Sequence, residues 1–291
     1  MSDAEKQAWI AIPVVMLVGA GLAWAGSSGS VRFASLPVYA ICIFIAFLIQ
    51  WIVFVPSFIN RTEKFFDLTG SITYLTVMAA AVLLSGRPDL RSVLLLVLVA
   101  TWAFRLGTFL FRRIQKDGHD SRFDNLKTSF PRFLFTWTLQ GLWVSFSAAA
   151  ALGAVTSVNK ADFGVWGIIG LIVWILGFGF EVVADSQKNQ FRADPSNKGK
   201  FITTGLWSWS RHPNYFGEIV LWLGIAIMSL PNLSGWQYVT LISPIFVYLL
   251  LTRLSGVPML EAKADDKWGG QADYEAYKAN TSVLFPRPPS S

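Results

Sequence analysis

Residues 36–56 read LPVYAICIFIAFLIQWIVFVP, an uncharged run of 21 residues whose only amide is Gln50. About 20 mostly apolar residues are enough for a helix to cross the hydrocarbon of a bilayer. The apolar positions are contiguous rather than alternating, which excludes a barrel strand. Seven further runs of this kind lie near 8–26, 65–85, 92–112, 132–155, 163–186, 214–230 and 236–254. The expected fold is therefore all-α: a polytopic membrane protein of about eight transmembrane helices.

Composition agrees. Of 291 residues, 53% are hydrophobic and only 14% are charged, whereas a soluble domain has about a quarter of its residues charged. Mean hydropathy is +0.48. An aromatic content of 15% excludes a disordered chain. One cysteine, Cys42, leaves no disulfide framework, and with only His119 and His212 besides no metal site is expected.

The net charge of +6 does not call for nucleic acid, because the basic residues fall between apolar runs. Nineteen of the 24 lysines and arginines lie in the N-terminus or after the second, fourth, sixth and eighth runs. Arg32, Arg87, Arg91 and Lys160 lie in the other connections, and Arg105 lies inside a run. Basic residues favour the cytoplasmic side, so both termini are expected there. Ala23-Trp24-Ala25 has the form of a signal-peptidase site, but Asp3 and Glu5 beside a single Lys6 fit an uncleaved helix better. The thirteen tryptophans read mostly as belts at headgroup level. Gly19-Ala20-Gly21 and Gly177-Phe178-Gly179 read as close helix packing, not as nucleotide fingerprints, since no strand precedes them.

Ionisable side chains inside membrane helices are costly and mark candidate sites. Asp67, Arg105, Glu181, Asp185 and Glu218 qualify. Glu181 and Asp185 are one helical turn apart, and their face continues through Lys188 to Arg192. A new helix is expected to start at Pro213, and on it Asn214 and Glu218 are again four apart. Between these helices runs KGKFITTGLW, Lys198 to Trp207. The resulting pocket would set Lys188, Arg192, Lys198, Lys200, Arg211 and His212 against phosphates, and carboxylates and amides against hydroxyls and a carboxamide. A phosphorylated dinucleotide fits that inventory better than S-adenosylmethionine, which has no phosphate.

The segment GLWSWSRHPNYFGEIVLWLG, Gly205 to Gly224, resembles the signature of the steroid 5α-reductase family and the related sterol reductases. So do EVVADSQKNQFR, Glu181 to Arg192, and FRLGTFLFRRIQKDGHDSRFD, Phe104 to Asp124, the latter particularly in the bacterial branch. The resemblance covers about residues 60–285. It implies a seven-helix core preceded here by one extra helix, so that residues 1–35 stand apart from a reductase-like domain over 36–291. Cofactor-side loops are expected near 113–131 and 187–213, with a cytoplasmic tail over 255–291.

The resemblance also implies an NADPH-dependent oxidoreductase that reduces a carbon–carbon double bond in a lipid enone, in the manner of a 3-oxo-Δ4-steroid 5α-reductase. Asp185, Arg192, Asn214 and Glu218 match the family's cofactor residues, with Glu181 where the family has an asparagine. Arg105, Arg211, His212 and Arg253 match further cofactor contacts, and Lys200 joins them by its charge. The family's ketone-polarising glutamate falls at Asp67 and its tyrosine at Trp102. Tyr74, two turns beyond Asp67, could replace that tyrosine. A donor at the developing oxyanion stabilises hydride transfer, and a carboxylic acid can act so when burial keeps it protonated. Asp67, Tyr74 and Trp102 are thus the catalytic candidates. The expected setting is a monomer in a bacterial inner membrane, in contact with lipids, taking a hydrophobic small molecule from the bilayer. The competing readings are an isoprenylcysteine-type methyltransferase, whose family carries a similar RHPNY motif, and a lipid-binding protein without turnover.

Overall fold

The structure, a computed structural model, describes residues 1–86 and 88–289. Arg87, counted above among the four basic residues outside the basic side, lies outside the described residues, as do Ser290 and Ser291 at the end of the expected tail. The helices are α1 (Asp3–Gly26), α2 (Val38–Ile59), α3 (Phe66–Ser85), α4 (Leu90–Asp117), α5 (Phe130–Ser147), α6 (Ala149–Thr156), α7 (Gly164–Ala193), α8 (Pro213–Ser229), α9 (Ile242–Leu249), α10 (Gly256–Trp268) and α11 (Ala272–Asn280). Among the described residues the one sheet is a hairpin, β1 (Arg32–Phe33) with β2 (Leu36–Pro37). Seven helical stretches are long and apolar enough to cross a membrane, and α5 with α6 would make an eighth. The protein is an integral multi-pass helical membrane protein.

The run expected at 132–155 is not one straight helix. It bends by 57° between α5 and α6. Ala148–Ala151 are fully buried at the bend, where small side chains let the chain turn. The Ser147 carbonyl accepts a hydrogen bond from Ser243 Oγ at 2.5 Å, which offsets part of the cost of interrupting the helix. The last run also departs from a plain helix: a 3-10 stretch, Gly235–Leu241, leads into α9 and a π turn, Leu250–Leu254.

The chain forms two compact units. The first comprises Met1–Gly167 and Met228–Ser243. At one of its ends the Ser2–Glu5 capping box starts α1, and Glu5 Oε1 accepts from Ser129 Oγ at 2.8 Å. Nearby, Glu63 accepts from Lys127 Nζ and from the Asp120 N–H, each at 2.9 Å. Phe54, Phe66, Phe123, Phe133 and Trp137 form a buried cluster. The connections after α2 and α4 and the start of α1 thus share one end. At the other, Gly29 O accepts from Val158 N, Gly26 O from Gln237 Nε2, and Arg91 donates to the carbonyls of Ala161, Asp162 and Phe163 and to Asn232 Oδ1. Connections therefore alternate between ends within this unit, as the charge count expects. Arg91, however, is buried, and Lys160 Nζ caps the carbonyls of Ala154 and Val155. These two charges hold the unit together rather than only orienting it. The α1 helix is tied into this unit at both ends. Gly19 meets the Phe47 ring while Gly21 faces open space.

The second unit comprises Ile168–Ile227 and Pro244–Ser291. Its helices α7 and α8 cross in backbone contact: a Cβ at Gly177 would stand 2.4 Å from Leu221 N, and one at Gly224 2.6 Å from Trp174 N. Gly179, by contrast, has nothing within 4 Å. One glycine of each pair packs, therefore, and one does not. Helix α8 begins at Pro213, as expected. Helix α7 persists to Ala193, so the connection that follows it is shorter than the expected 187–213. The connection near 113–131 is shortened in the same way, because α4 runs to Asp117 and stops at Gly118 with φ +80°.

Candidate functional site

The catalytic candidates lie on α3 and α4 in the first unit. The Tyr74 and Trp102 rings meet edge to face at 5.2 Å, with Trp102 buried. Asp67 sits in the first turn of α3, and its Oδ2 is 3.5 Å from Arg113 Nη2. Arg113 also lies 3.9 Å from Asp120 Oδ2, which Arg122 engages at 2.5 Å. The helices approach closely because Gly107 lies against Ser71. Tyr74 and Trp102 are thus in contact, while Asp67, two turns away, belongs to a charge chain running through Arg113. Reading the sequence missed Arg113 because it counted only as one of several basic residues after the fourth run. Arg105 is half-buried on α4.

The cofactor candidates lie in the second unit, apart from Arg105. A cavity of about 480 Å³ opens there between the end of α7, residues 197–202, Trp207, Arg211, His212, α10 and α11. Of the predicted residues, Arg192, Lys200, Arg211 and His212 line it, as do Lys188 and Lys198. Glu181, Asp185, Asn214, Glu218 and Arg253 are not in its wall. Glu181 is buried at the α7–α8 crossing, where a Cβ at Gly217 would fall 2.6 Å from Glu181 N. This brings Glu181 to the turn that carries Asn214 and Glu218. Asp185, Asn214 and Glu218 are half-buried, and Arg253 is exposed on the π turn.

The wall is built by anchoring a polar loop to α7. Trp207 Nε1 donates to Ala184 O at 2.9 Å, and Leu206 N–H to Gln187 Oε1 at 2.9 Å. Gly205 adopts φ +62° with the Gln187 side chain where a Cβ would stand, so glycine is required at that point. The Lys188 ammonium rests 4.2 Å over the Trp207 ring, a cation–π contact. Trp207 is buried, and so are Trp102, Trp137, Trp174 and Trp222. The expectation that tryptophans serve mostly as belts fails for these five, which fill helix contacts instead.

The expected tail is a folded wall. Trp268 Nε1 donates to Gly199 O at 2.6 Å, and Tyr277 Oη to Trp207 O at 2.7 Å. Phe201 lies among the rings of Trp268, Tyr274 and Tyr277, at 5.7, 5.2 and 5.6 Å. Main chain closes the arrangement: Arg211 N–H donates to Ser282 O and Arg287 N–H to Trp209 O. From α10, Glu261 reaches Arg211 Nη1 at 2.5 Å and His212 Nε2 at 2.7 Å. Reading the sequence overlooked Glu261 because nothing in a polar tail marks which carboxylate will face the motif. Burial holds the His212 imidazole below its ordinary value, despite the support of Glu261. Lys263 and Lys267 complete a lining with seven lysines and arginines against one carboxylate. Such a wall attracts polyanions, and its aromatic rings offer faces for a planar group.

Fold and cavity together define a multi-pass membrane protein with a cationic, aromatic-lined cavity. The chain belongs to the DUF1295 family, described as protein of unknown function, whose profile matches residues 53–281. It is 25% identical over 166 residues to 3-oxo-5-alpha-steroid 4-dehydrogenase 1 of Rattus norvegicus, covering 54% of this chain and 56% of the relative. It is 31% identical over 114 residues to a Delta(14)-sterol reductase of Gibberella zeae, covering 33% and 22%. A third relative, named "Probable O-methyltransferase ustE", of Ustilaginoidea virens, is 34% identical over 92 residues, covering 32% and 30%. The chain spans little more than half the length of the first of these and less than a third of the other two. No solved structure matches it.

Proposed function

We propose that this protein is a membrane-embedded, NADPH-dependent reductase of a carbon–carbon double bond in a lipid enone, with a 3-oxo-Δ4-steroid as the model substrate. The cationic cavity carries the reading. Its size lies within the roughly 300–1,000 Å³ of small-molecule sites, and its excess of cations suits a ligand with several phosphates better than S-adenosylmethionine. Arg211 Nε and His212 Nδ1, beside this cavity, are buried without a hydrogen-bond partner among the described residues, and a ligand's oxygens would supply one. The residues present therefore fit the phosphate-bearing part of NADPH. The similarity to the steroid and sterol reductases supports the same class.

In this reading Lys188, Arg192, Lys200, Arg211 and His212 hold phosphates. Glu181, Asp185, Asn214 and Glu218 take hydroxyl and amide groups, and Arg105 and Arg253 assist as the family resemblance implies. When bound, NADPH would supply a hydride to the β-carbon of the enone, and a proton from water at the α-carbon completes the saturated ketone. Asp67, in its protonated form, donates to the enone carbonyl and stabilises the charge that grows on its oxygen, and Tyr74 and Trp102 orient the substrate further along the same helices. Arg113 orients the Asp67 carboxyl. The substrate comes from the bilayer and the nucleotide from the cytoplasm, in a monomer of a bacterial inner membrane with both termini cytoplasmic.

The test is NADPH titration of the detergent-solubilised full chain, followed by NADPH consumption with a panel of lipid enones and product analysis. Saturable NADPH binding and a saturated ketone product support the reading. Binding of S-adenosylmethionine in place of NADPH, with a methyl ester product, assigns the protein to the methyltransferases instead.

A further inference from the structure

In the cavity of the second unit, Glu261 is the one carboxylate among seven lysines and arginines. It divides its two oxygens: Oε2 accepts from Arg211 Nη1 at 2.5 Å and Oε1 faces His212 Nε2 at 2.7 Å. A guanidinium offers five donors and binds anions best as a two-pronged fork. Here the Arg211 Nε–H is left without an acceptor among the described residues, although it is buried. A carboxylate spread between this guanidinium and the His212 imidazole cannot also complete the fork. A phosphate can, because it brings three oxygens and more charge. The Arg211 and His212 side chains are only 12% and 6% exposed, and Glu261 occupies the donors Arg211 Nη1 and His212 Nε2 that an incoming anion would take.

Resting on the reading of this cavity as a phosphate site, we propose that Glu261 is its resident counter-anion, occupying Arg211 and His212 until a ligand phosphate displaces it. The residue sets the threshold for binding. The Arg211 charge is balanced and the His212 ring held in place while the site is empty, and only a ligand with more negative charge than one carboxylate displaces the latch.

A merely structural Glu261, stapling α10 to the motif, makes the opposite prediction for its removal. The experiment compares wild type with Glu261→Gln, Glu261→Asp and Asp265→Asn, all as the solubilised full chain. Asp265 ties α10 to Lys278 and Tyr274 and serves as a control for a loosened tail. Binding of NADPH and of inorganic pyrophosphate is measured by calorimetry, and thermal unfolding checks that each variant is folded. Glu261→Gln is expected to bind both probes roughly tenfold tighter, as loss of one charge-assisted competitor implies. Glu261→Asp, too short to bridge Arg211 and His212, falls between, and Asp265→Asn is unchanged. Equal or weaker binding by folded Glu261→Gln overturns the proposal. If pyrophosphate tightens while NADPH binds neither form, the latch stands and the dinucleotide reading falls. If NADPH binds wild type and Glu261→Gln alike, the latch falls and the reading stands. Failure of both probes with both forms overturns both.

Discussion

Trp207 and Ala184 are joined by a hydrogen bond from the indole nitrogen to a main-chain carbonyl of α7, 2.9 Å long and buried. It fixes the start of the RHPNY segment onto the helix that carries Glu181, Asp185 and Arg192. Trp207→Phe keeps a ring beneath Lys188 but loses this bond. A loss of about 0.5–1.5 kcal/mol of stability is expected, with NADPH binding weakened several-fold. Thermal unfolding and a binding titration on the same preparation read the two effects.

The α7–α8 crossing admits no side chain at Gly217, where a Cβ would stand 2.6 Å from both Glu181 N and Gly177 O. Those neighbours are backbone and cannot turn aside. Gly217→Ala should cost roughly 1–3 kcal/mol and weaken cofactor binding, because it parts the helices beside Glu181 and Glu218. Gly179→Ala, with nothing within 4 Å, should leave the melting temperature and binding unchanged. A similar loss in both variants would mean that the crossing is not what matters.

Arg91 is 1% exposed, and its guanidinium donates to three carbonyls and the Asn232 amide oxygen. Arg91→Ala removes the donor from the Ala161 and Asp162 carbonyls and leaves a void behind. A loss of about 3 kcal/mol or more follows, seen as aggregation or a greatly lowered melting temperature in detergent. Arg91→Lys, with one point charge and three donors, should recover only part of it.

The Glu63–Lys127 pair dictates a pH window. Burial pushes the Glu63 carboxyl up, but the hydrogen bonds from the Asp120 N–H and Lys127 outweigh it and hold the group below its ordinary 4.5. Its contribution is full above 4.5 and is lost as pH falls through the lowered folded value. The bond to Glu63 holds Lys127 above its ordinary 10.5, so its contribution is full below 10.5 and fades as pH rises further. Between those limits the pair gives a plateau. Glu63→Gln should remove the acid-side fall contributed by this group, as chemical denaturation at pH 6 and pH 4 would reveal.

Asp67→Asn should spare NADPH binding and slow turnover by roughly 10²-fold, the usual scale for removing one catalytic polar group. Glu218→Gln and Arg192→Ala should do the reverse and raise the NADPH dissociation constant. An unchanged rate in Asp67→Asn would leave Tyr74 and Trp102 as the remaining candidates on α3 and α4.

What could be read from the chain follows the range of the interactions involved. Runs such as 36–56 declare themselves because a bilayer imposes one length and one polarity on every crossing. Pro213 announced the start of α8, and four-residue spacing placed Glu181 with Asp185 and Asn214 with Glu218, because both are local effects. The break at Ala148 was hidden, since an alanine-rich run is as apolar bent as straight and only the packing decides. Long-range pairings were hidden too. Glu261 lies 50 residues from Arg211, and Arg113 lies 46 from Asp67. Neither partner differs in type or spacing from its solvated neighbours. Trp207 was passed over because, in a protein with thirteen tryptophans, a single indole carries no mark of burial.

The tail that folds back on the motif, through Ser282 to Arg211 and Arg287 to Trp209, follows every membrane span in chain order. During biosynthesis all the crossings can therefore be inserted before the cavity gains its second wall. Damage to 272–287, by a fused reporter or a proteolytic nick, would then yield a protein correctly threaded through the membrane but with its cavity left unfinished.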